Sequence, residues 1–395
     1  RGRNMVSTAL LMMIYLSFIS LGLPDSMLGS AWPAMNVSLN APLWGAGLVQ
    51  MLISFCTIIS SLNSAKLIRR FGTGKLTAIS VATTALALLG FSLAKNYAFL
   101  LLMAVPLGLG AGAVDAGLNN FVALHYEARH MSWLHCFWGV GATLGPVILS
   151  LFLGGKHGWR GGYGAVCAIQ FCLVAVLAVT LPMWDRYEDR AALRAEAAAA
   201  KQAGKKQSTL NIPGVKGALA TFFFYCAIEA AAGLWGASYL VEARGLSAEA
   251  AARGVSLYFL GITLGRFLSG FASMRMKSAA LIRLGQLVSA GGAVLLMLPL
   301  PAGFGVAAMA VLGLGFAPVY PSMIHETPYR FGAERSQAVI GLQMACAYVG
   351  SCIMPPIFGL VAAHISLALL PVYLFGVLAL MVVMHEKLVR KLSHK

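Results

Sequence analysis

Residues 97–124 read YAFLLLMAVPLGLGAGAVDAGLNNFVAL, a run of 28 residues whose only charged side chain is Asp115. About 20 apolar residues in a helix cross the roughly 30 Å hydrocarbon core of a bilayer, so this stretch is long enough to span one. An acid at its centre costs about 3 kcal/mol to insert and is retained where it faces a bundle interior or a water-filled passage. The stretch therefore predicts a membrane helix that carries chemistry.

Working outward, similar runs recur along all 395 residues. We read twelve spans, at about 6–35, 43–65, 76–94, 97–124, 131–153, 161–183, 217–240, 254–274, 278–299, 303–326, 337–362 and 366–385. Hydrophobic residues make up 59% of the chain and charged ones 11%, far below the quarter or so usual in soluble domains, which excludes an ordinary cytosolic enzyme. The net charge of +16 suggests nucleic acid until its distribution is traced. With both termini placed in the cytoplasm, 23 of the 29 Lys and Arg residues fall on that side. Lys95, Lys156, Arg160, Arg244 and Arg253 fall on the other, and Arg266 lies within span 8. That bias is the positive-inside pattern, and it predicts a multi-pass membrane protein with both termini cytoplasmic.

The seven cysteines (56, 136, 167, 172, 226, 346 and 352) lie within apolar spans and form neither a CxxC nor a metal-ligand spacing. The first apolar run is too long for the core of a cleaved signal and is expected to remain as span 1. The one long polar segment, 184–216, divides the chain into an N-terminal six-span unit (1–183) and a C-terminal one (217–395). Its Ala/Glu/Arg-rich start predicts a short amphipathic helix, and AGKKQST reads as flexible linker. The halves also echo each other. Asp25…Gly29 matches Glu229…Gly233 at an offset of 204, Leu107–Gly110 matches Leu312–Gly315 at 205, and Val140-Gly141 with Pro146 matches Val349-Gly350 with Pro355 at 209. Ordered matches at nearly one offset predict a duplicated six-helix unit, the architecture of two-bundle carriers whose site lies midway between the bundles.

Acids inside apolar stretches mark that site. Asp25 follows Pro24 in span 1; proline removes a backbone donor and loosens the helix, while Gly29 leaves the acid on an open face. We read Asp25 as a protonatable or substrate-binding carboxylate rather than an acid kept for packing. In span 4, Gly108, Gly112, Asp115 and Asn119 form one stripe, with Asp115 and Asn119 paired one turn apart. Asp115 is read as a proton-coupling group, with a purely structural bond between bundles as the alternative. Glu229 occupies in span 7 the place that Asp25 holds in span 1 and is a third coupling candidate. Trp235 shares its face only if the helix breaks there. His135 and Trp138 in span 5 lie one turn apart, an imidazole and an aromatic ring suited to hydroxyls and sugar faces. For His135 a buried, satisfied histidine is the alternative. Gln343 and Tyr348 in span 11 are hydroxyl-recognising candidates, with Gln50 and Tyr320 behind them. Arg266 and Glu326 are gating candidates, the latter as an inner ion pair with Arg330 or as helix-end structure. GLGAGAVDAG is no nucleotide loop, since no strand precedes it, and no HExxH, GxSxG or P-loop occurs. No cofactor or metal is expected; the energy source would be a proton gradient, with sodium left open, and nothing requires more than a monomer.

The chain resembles the major facilitator superfamily over nearly its whole length. Ala65-Lys-Leu-Ile-Arg-Arg70-Phe-Gly72-Thr-Gly-Lys75, between spans 2 and 3, is similar to that family's cytoplasmic motif, with Ala65 and Arg69 standing where it has glycine and aspartate. Within the superfamily, GLPDSMLGSAWP, GAVDAGLNN, LHCFWGVGATLGP and GRFLSG resemble the fucose permease branch. The resemblance implies the all-helical major facilitator fold and proton-coupled sugar uptake, with acids in spans 1 and 4, here Asp25 and Asp115. An aspartate replaces the permease's glutamate in span 4. Gly141 and Gly145-Pro146 are also shared with the antiporter motif of drug exporters, so proton-driven export of drugs or amphipathic metabolites stands as the second reading.

Overall fold

The computed structural model describes residues 2–125, 128–187 and 209–394. Among them are α-helices and short 3-10 turns and no strand. Twelve helical stretches are long and apolar enough to cross a membrane: Thr8–Ser38, Gly45–Leu62, Thr73–Leu93, Tyr97–Asn119, Trp133–Leu153, Gly158–Val179, Val215–Glu242, Ala248–Ala272, Ser278–Met297, Ala302–Thr327, Leu342–His364 and Leu367–Ser393. We call these spans 1 to 12. They fall on the twelve sequence runs within a few residues, except that span 12 continues about two turns further. Most of the expected linker, including its amphipathic helix, lies outside the described residues. An even number of spans returns the chain to its starting side, so both described ends lie at one end of the molecule.

Two prolines shape the helices beside the site. Pro24 has no N–H for the carbonyl of Ser20, and the helix breaks just after it: one segment ends at Asp25 and the next begins at Met27. The freed Ser20 carbonyl accepts instead from Gln170 Nε2 of span 6 at 2.7 Å, and the Ser20 hydroxyl donates back to Gln170 Oε1. Gln170 is fully buried. Pro146 in span 5 likewise frees the carbonyl of Ala142, which accepts from Ser26 Oγ at 2.7 Å. Each proline thus turns an internal helical bond into a bond between helices, satisfying backbone that has no water to turn to.

Small residues set the remaining close contacts. Gly108 and Gly112 of span 4 lie against the carbonyls of Ile53 and Thr57 in span 2, where a Cβ has no room. Thr57, Ser60 and Ser61 of span 2 then donate to carbonyls of Gly108, Leu109 and Gly112. The glycines of the Asp115 stripe are the footing on which span 4 stands.

Positions matched in the repeat meet each other across the seam between the halves. A Cβ on Gly29 would lie 2.5 Å from the carbonyl of Gly233, its counterpart at offset 204. Ser256 Oγ of span 8 donates to Thr143 O of span 5 at 2.8 Å, and Cys352 Sγ of span 11 donates to Met51 O of span 2 at 3.4 Å. Residues 51 and 256 are related by 205 and residues 143 and 352 by 209, so these two bonds are the same contact made twice, with donor and acceptor exchanged. At the end opposite the termini the seam is closed by Trp235, fully buried, whose Nε1 donates to Pro355 O at 2.8 Å. Gly47 and Gly359 pack against that region from spans 2 and 11. Span 7 runs unbroken from Val215 to Glu242, so Trp235 belongs to this seal and not to the face of Glu229.

Candidate functional site

Asp25 sits at the break in span 1. Its neighbours Leu23, Ser26 and Met27 are 3%, 2% and 0% exposed, yet Asp25 itself is exposed. Its direction follows from the glycines on its face. Gly22, three residues before, packs on the backbone of Trp138 and Ala142 in span 5; Gly29, four residues after, packs on Gly233 and Leu234 in span 7. Asp25 therefore faces the seam between the bundles and not lipid. The Trp138 indole N–H donates to Asp25 Oδ2 at 2.9 Å.

Asp115 lies within electrostatic reach of Asp25. Asn119 Nδ2 donates to Asp115 Oδ1 at 2.9 Å, the one-turn pairing the stripe implies, and also to the Asp115 backbone carbonyl. The Tyr348 hydroxyl of span 11 donates to Asp115 Oδ2 at 2.5 Å. One carboxylate oxygen is thus held within the N-terminal half and the other from the C-terminal half. A bond of that kind, to a charged acceptor, is about twice as strong as a neutral one.

Arg266 lies across the seam from these acids. Its guanidinium does not snorkel to the membrane surface; it is drawn inward, 6.0 Å from the Trp138 ring centroid and 5.5 Å from that of Tyr320. His135 stands between Phe18 and Tyr320, with both ring centroids 6.1 Å away. Glu229, partly buried one turn beyond Tyr225, is within electrostatic reach of Arg266, and the Tyr258 hydroxyl donates to its backbone carbonyl at 3.0 Å. Trp138 makes contacts on both sides: it bonds Asp25, lies under Arg266 and packs edge-on against Phe259 of span 8.

The structure thus gathers Asp25, Asp115, Asn119, His135, Trp138, Tyr348, Arg266 and Glu229 around one mid-depth seam. Gln343 is placed elsewhere. It is 1% exposed and accepts from Thr327 Oγ1 at 3.0 Å, a bond within the C-terminal half. Gln50 donates to Ser54 on its own helix. Glu326 pairs with Arg330 at 3.7 Å one turn on, and Arg330 also meets His385 at 3.4 Å. Burial pushes the Arg330 guanidinium below its usual range, with the Glu326 charge opposing the shift. Tyr258 and Phe259 were not singled out from sequence as binding residues, since nothing in one chain says which ring of an apolar helix faces a seam. Among the described residues no group of three or more His, Cys, Asp or Glu side chains is arranged to hold a metal.

Two helical halves that meet along a seam holding acidic side chains have the architecture of a multi-pass membrane transporter. Residues 14–355 match the Major Facilitator Superfamily, and the chain belongs to that family. It is 23% identical over 267 residues to the glucose/mannose transporter GlcP of Bacillus subtilis (strain 168), a match covering 66% of this chain and 65% of that relative's length. Among solved structures it resembles a mutant form of the peptide transporter POT in complex with sulfate, with a TM-score of 0.73 at 13% identity, over 96% of this chain and 93% of the other. It also resembles a mutant form of the nucleoside transporter NupG, with a TM-score of 0.71 at 15% identity, over 96% and 99% of the two chains. Likeness at such identities is a likeness of fold.

Proposed function

We propose that the protein takes up a monosaccharide, or a similar small polar solute, together with protons by alternating access. The observation that carries this reading is the Asp115 carboxylate, one oxygen on its own helix and the other bonded across the seam by Tyr348. Protonation discharges the acceptor, weakens that cross-seam bond and lets the halves rearrange; loss of the proton on the other side restores it. Asp25, exposed in the passage and held by Trp138, is the second coupling group and a contact for substrate hydroxyls. Asn119, Trp138, His135 and Tyr348 line the same seam, and the aromatic rings suit the apolar faces of a sugar. Glu229 assists from the C-terminal half. The glucose/mannose relative and the fucose permease resemblance of spans 1, 4, 5 and 8 both support a sugar as cargo. The basic bias supports cytoplasmic termini, with a bundle on each side of the 184–216 linker, and the Bacillus subtilis relative supports a bacterial inner (plasma) membrane.

Uptake of labelled hexoses into proteoliposomes, driven by an inside-alkaline gradient, tests the reading. Accumulation should follow the proton gradient and ignore a sodium gradient. Asp115→Asn should abolish accumulation while sparing counterflow. A hexose uptake rate indifferent to the pH gradient would defeat proton coupling.

A further inference from the structure

The C-terminal side of the seam carries polar groups that the packing leaves unmet. Arg266 Nε is buried without a hydrogen-bond partner, and the Tyr225 hydroxyl, set between Glu229 and Arg266, reaches both only at longer range than a full hydrogen bond. Arg266 and Glu229 form no ion pair within 4.0 Å, although each lies in the field of the other with Tyr225 beside both. Arg266 and Glu229 are each partly buried as whole residues. A buried unmet donor costs about 1–3 kcal/mol, and an arginine in hydrocarbon about 3 kcal/mol on insertion scales. The packing around them offsets these costs only in part. The Trp138 and Tyr320 rings hold the guanidinium at this depth, and the Tyr258 bond fixes the backbone of Glu229.

Net charge decides what such a pair accepts. Arg266 and Glu229 balance each other, while Asp25 and Asp115 take and release protons across the seam. An anionic solute would meet up to three carboxylates against one guanidinium. A cationic solute would compete with Arg266 for Glu229. An uncharged polyol adds no net charge: one hydroxyl can donate to Glu229 while a neighbouring hydroxyl oxygen accepts from Arg266. We propose that Arg266 and Glu229, with Tyr225 beside them, form a second, charge-balanced subsite that grips two neighbouring hydroxyls of an uncharged sugar and excludes its acidic and basic derivatives. This inference rests on the sugar-uptake reading and adds to it the charge class of the cargo and the residues that select it.

The test is inhibition of labelled hexose uptake in proteoliposomes by the unlabelled hexose, the matching hexuronate and the matching hexosamine. Wild-type protein should be inhibited by the hexose alone. Glu229→Gln leaves the guanidinium unbalanced and should improve hexuronate inhibition relative to hexose by at least about tenfold. Arg266→Gln should do the same for the hexosamine. Where a variant no longer transports, ligand-induced thermal stabilisation of the purified protein reads the same preference. Hexuronate inhibiting wild type as well as the hexose, or both variants keeping wild-type charge preference while still binding hexose, would overturn the inference and leave sugar uptake standing. Failure of the wild type to move any hexose would overturn both.

Discussion

Gly29→Ala should hold the carrier away from the state described here. An added Cβ at residue 29 meets Gly233 O at 2.5 Å, Leu234 O at 2.7 Å and Leu234 Cα at 2.8 Å, all backbone atoms of span 7. No side-chain rotation relieves such a contact, so spans 1 and 7 must part by roughly 1 Å to regain ordinary separation. A gap of that size forfeits a quarter to a half of the dispersion attraction along the contact, and overpacking of this kind costs about 1–3 kcal/mol. The cost falls only on the state in which this end of the seam is closed. The population should therefore move toward the opposite opening by about 5- to 150-fold. Cys352 reports the shift, being 9% exposed and bonded to Met51 O across the same seam. Its alkylation by an impermeant thiol reagent, followed by mass spectrometry, should accelerate in Gly29→Ala. Gly22→Ala is the control, because Gly22 packs on Trp138 and Ala142 within its own half. It should lower stability without exposing Cys352. Equal alkylation of wild type and Gly29→Ala at unchanged transport rates would refute the reasoning.

Other outcomes follow from single bonds. Gln170→Leu strips the Ser20 carbonyl of the donor that replaces the missing N–H of Pro24, and should cost about 1–3 kcal/mol, read as a lower thermal midpoint in detergent. Tyr348→Phe removes the cross-seam donor to Asp115 and should weaken gradient-driven accumulation while leaving the thermal midpoint within a few degrees; a wild-type accumulation ratio would count against the latch. Arg283→Gln breaks a pair with Glu386 whose side chains are 50% and 36% exposed, so stability should change by less than about 1 kcal/mol despite the two-pronged geometry.

The twelve spans were legible because a bilayer imposes a length and a composition that a single sequence displays directly. The Asp115–Asn119 pair was legible too, because one-turn spacing places two side chains on one helix face whatever surrounds them. Depth and facing were not. Arg266 was legible as a cation within span 8, but its inward turn between Trp138 and Tyr320 depends on three helices meeting. Gln343 has the same polarity as a binding residue and is occupied by Thr327. Pro24 announced that a carbonyl would need a new donor, yet nothing in span 1 could say that Gln170, 146 residues beyond it, would supply it.

The two exchanged bonds of the seam, Ser256 to Thr143 and Cys352 to Met51, are equal in position and unequal in chemistry. A hydroxyl at 2.8 Å is a firm strut; a thiol at 3.4 Å is a weak donor and yields first. Separation of the halves should then start along spans 2 and 11 and reach spans 5 and 8 last, a tilted peel in place of an even rocking. Two contacts at matched positions thus give the seam a soft edge and a stiff one, and so a preferred direction of opening.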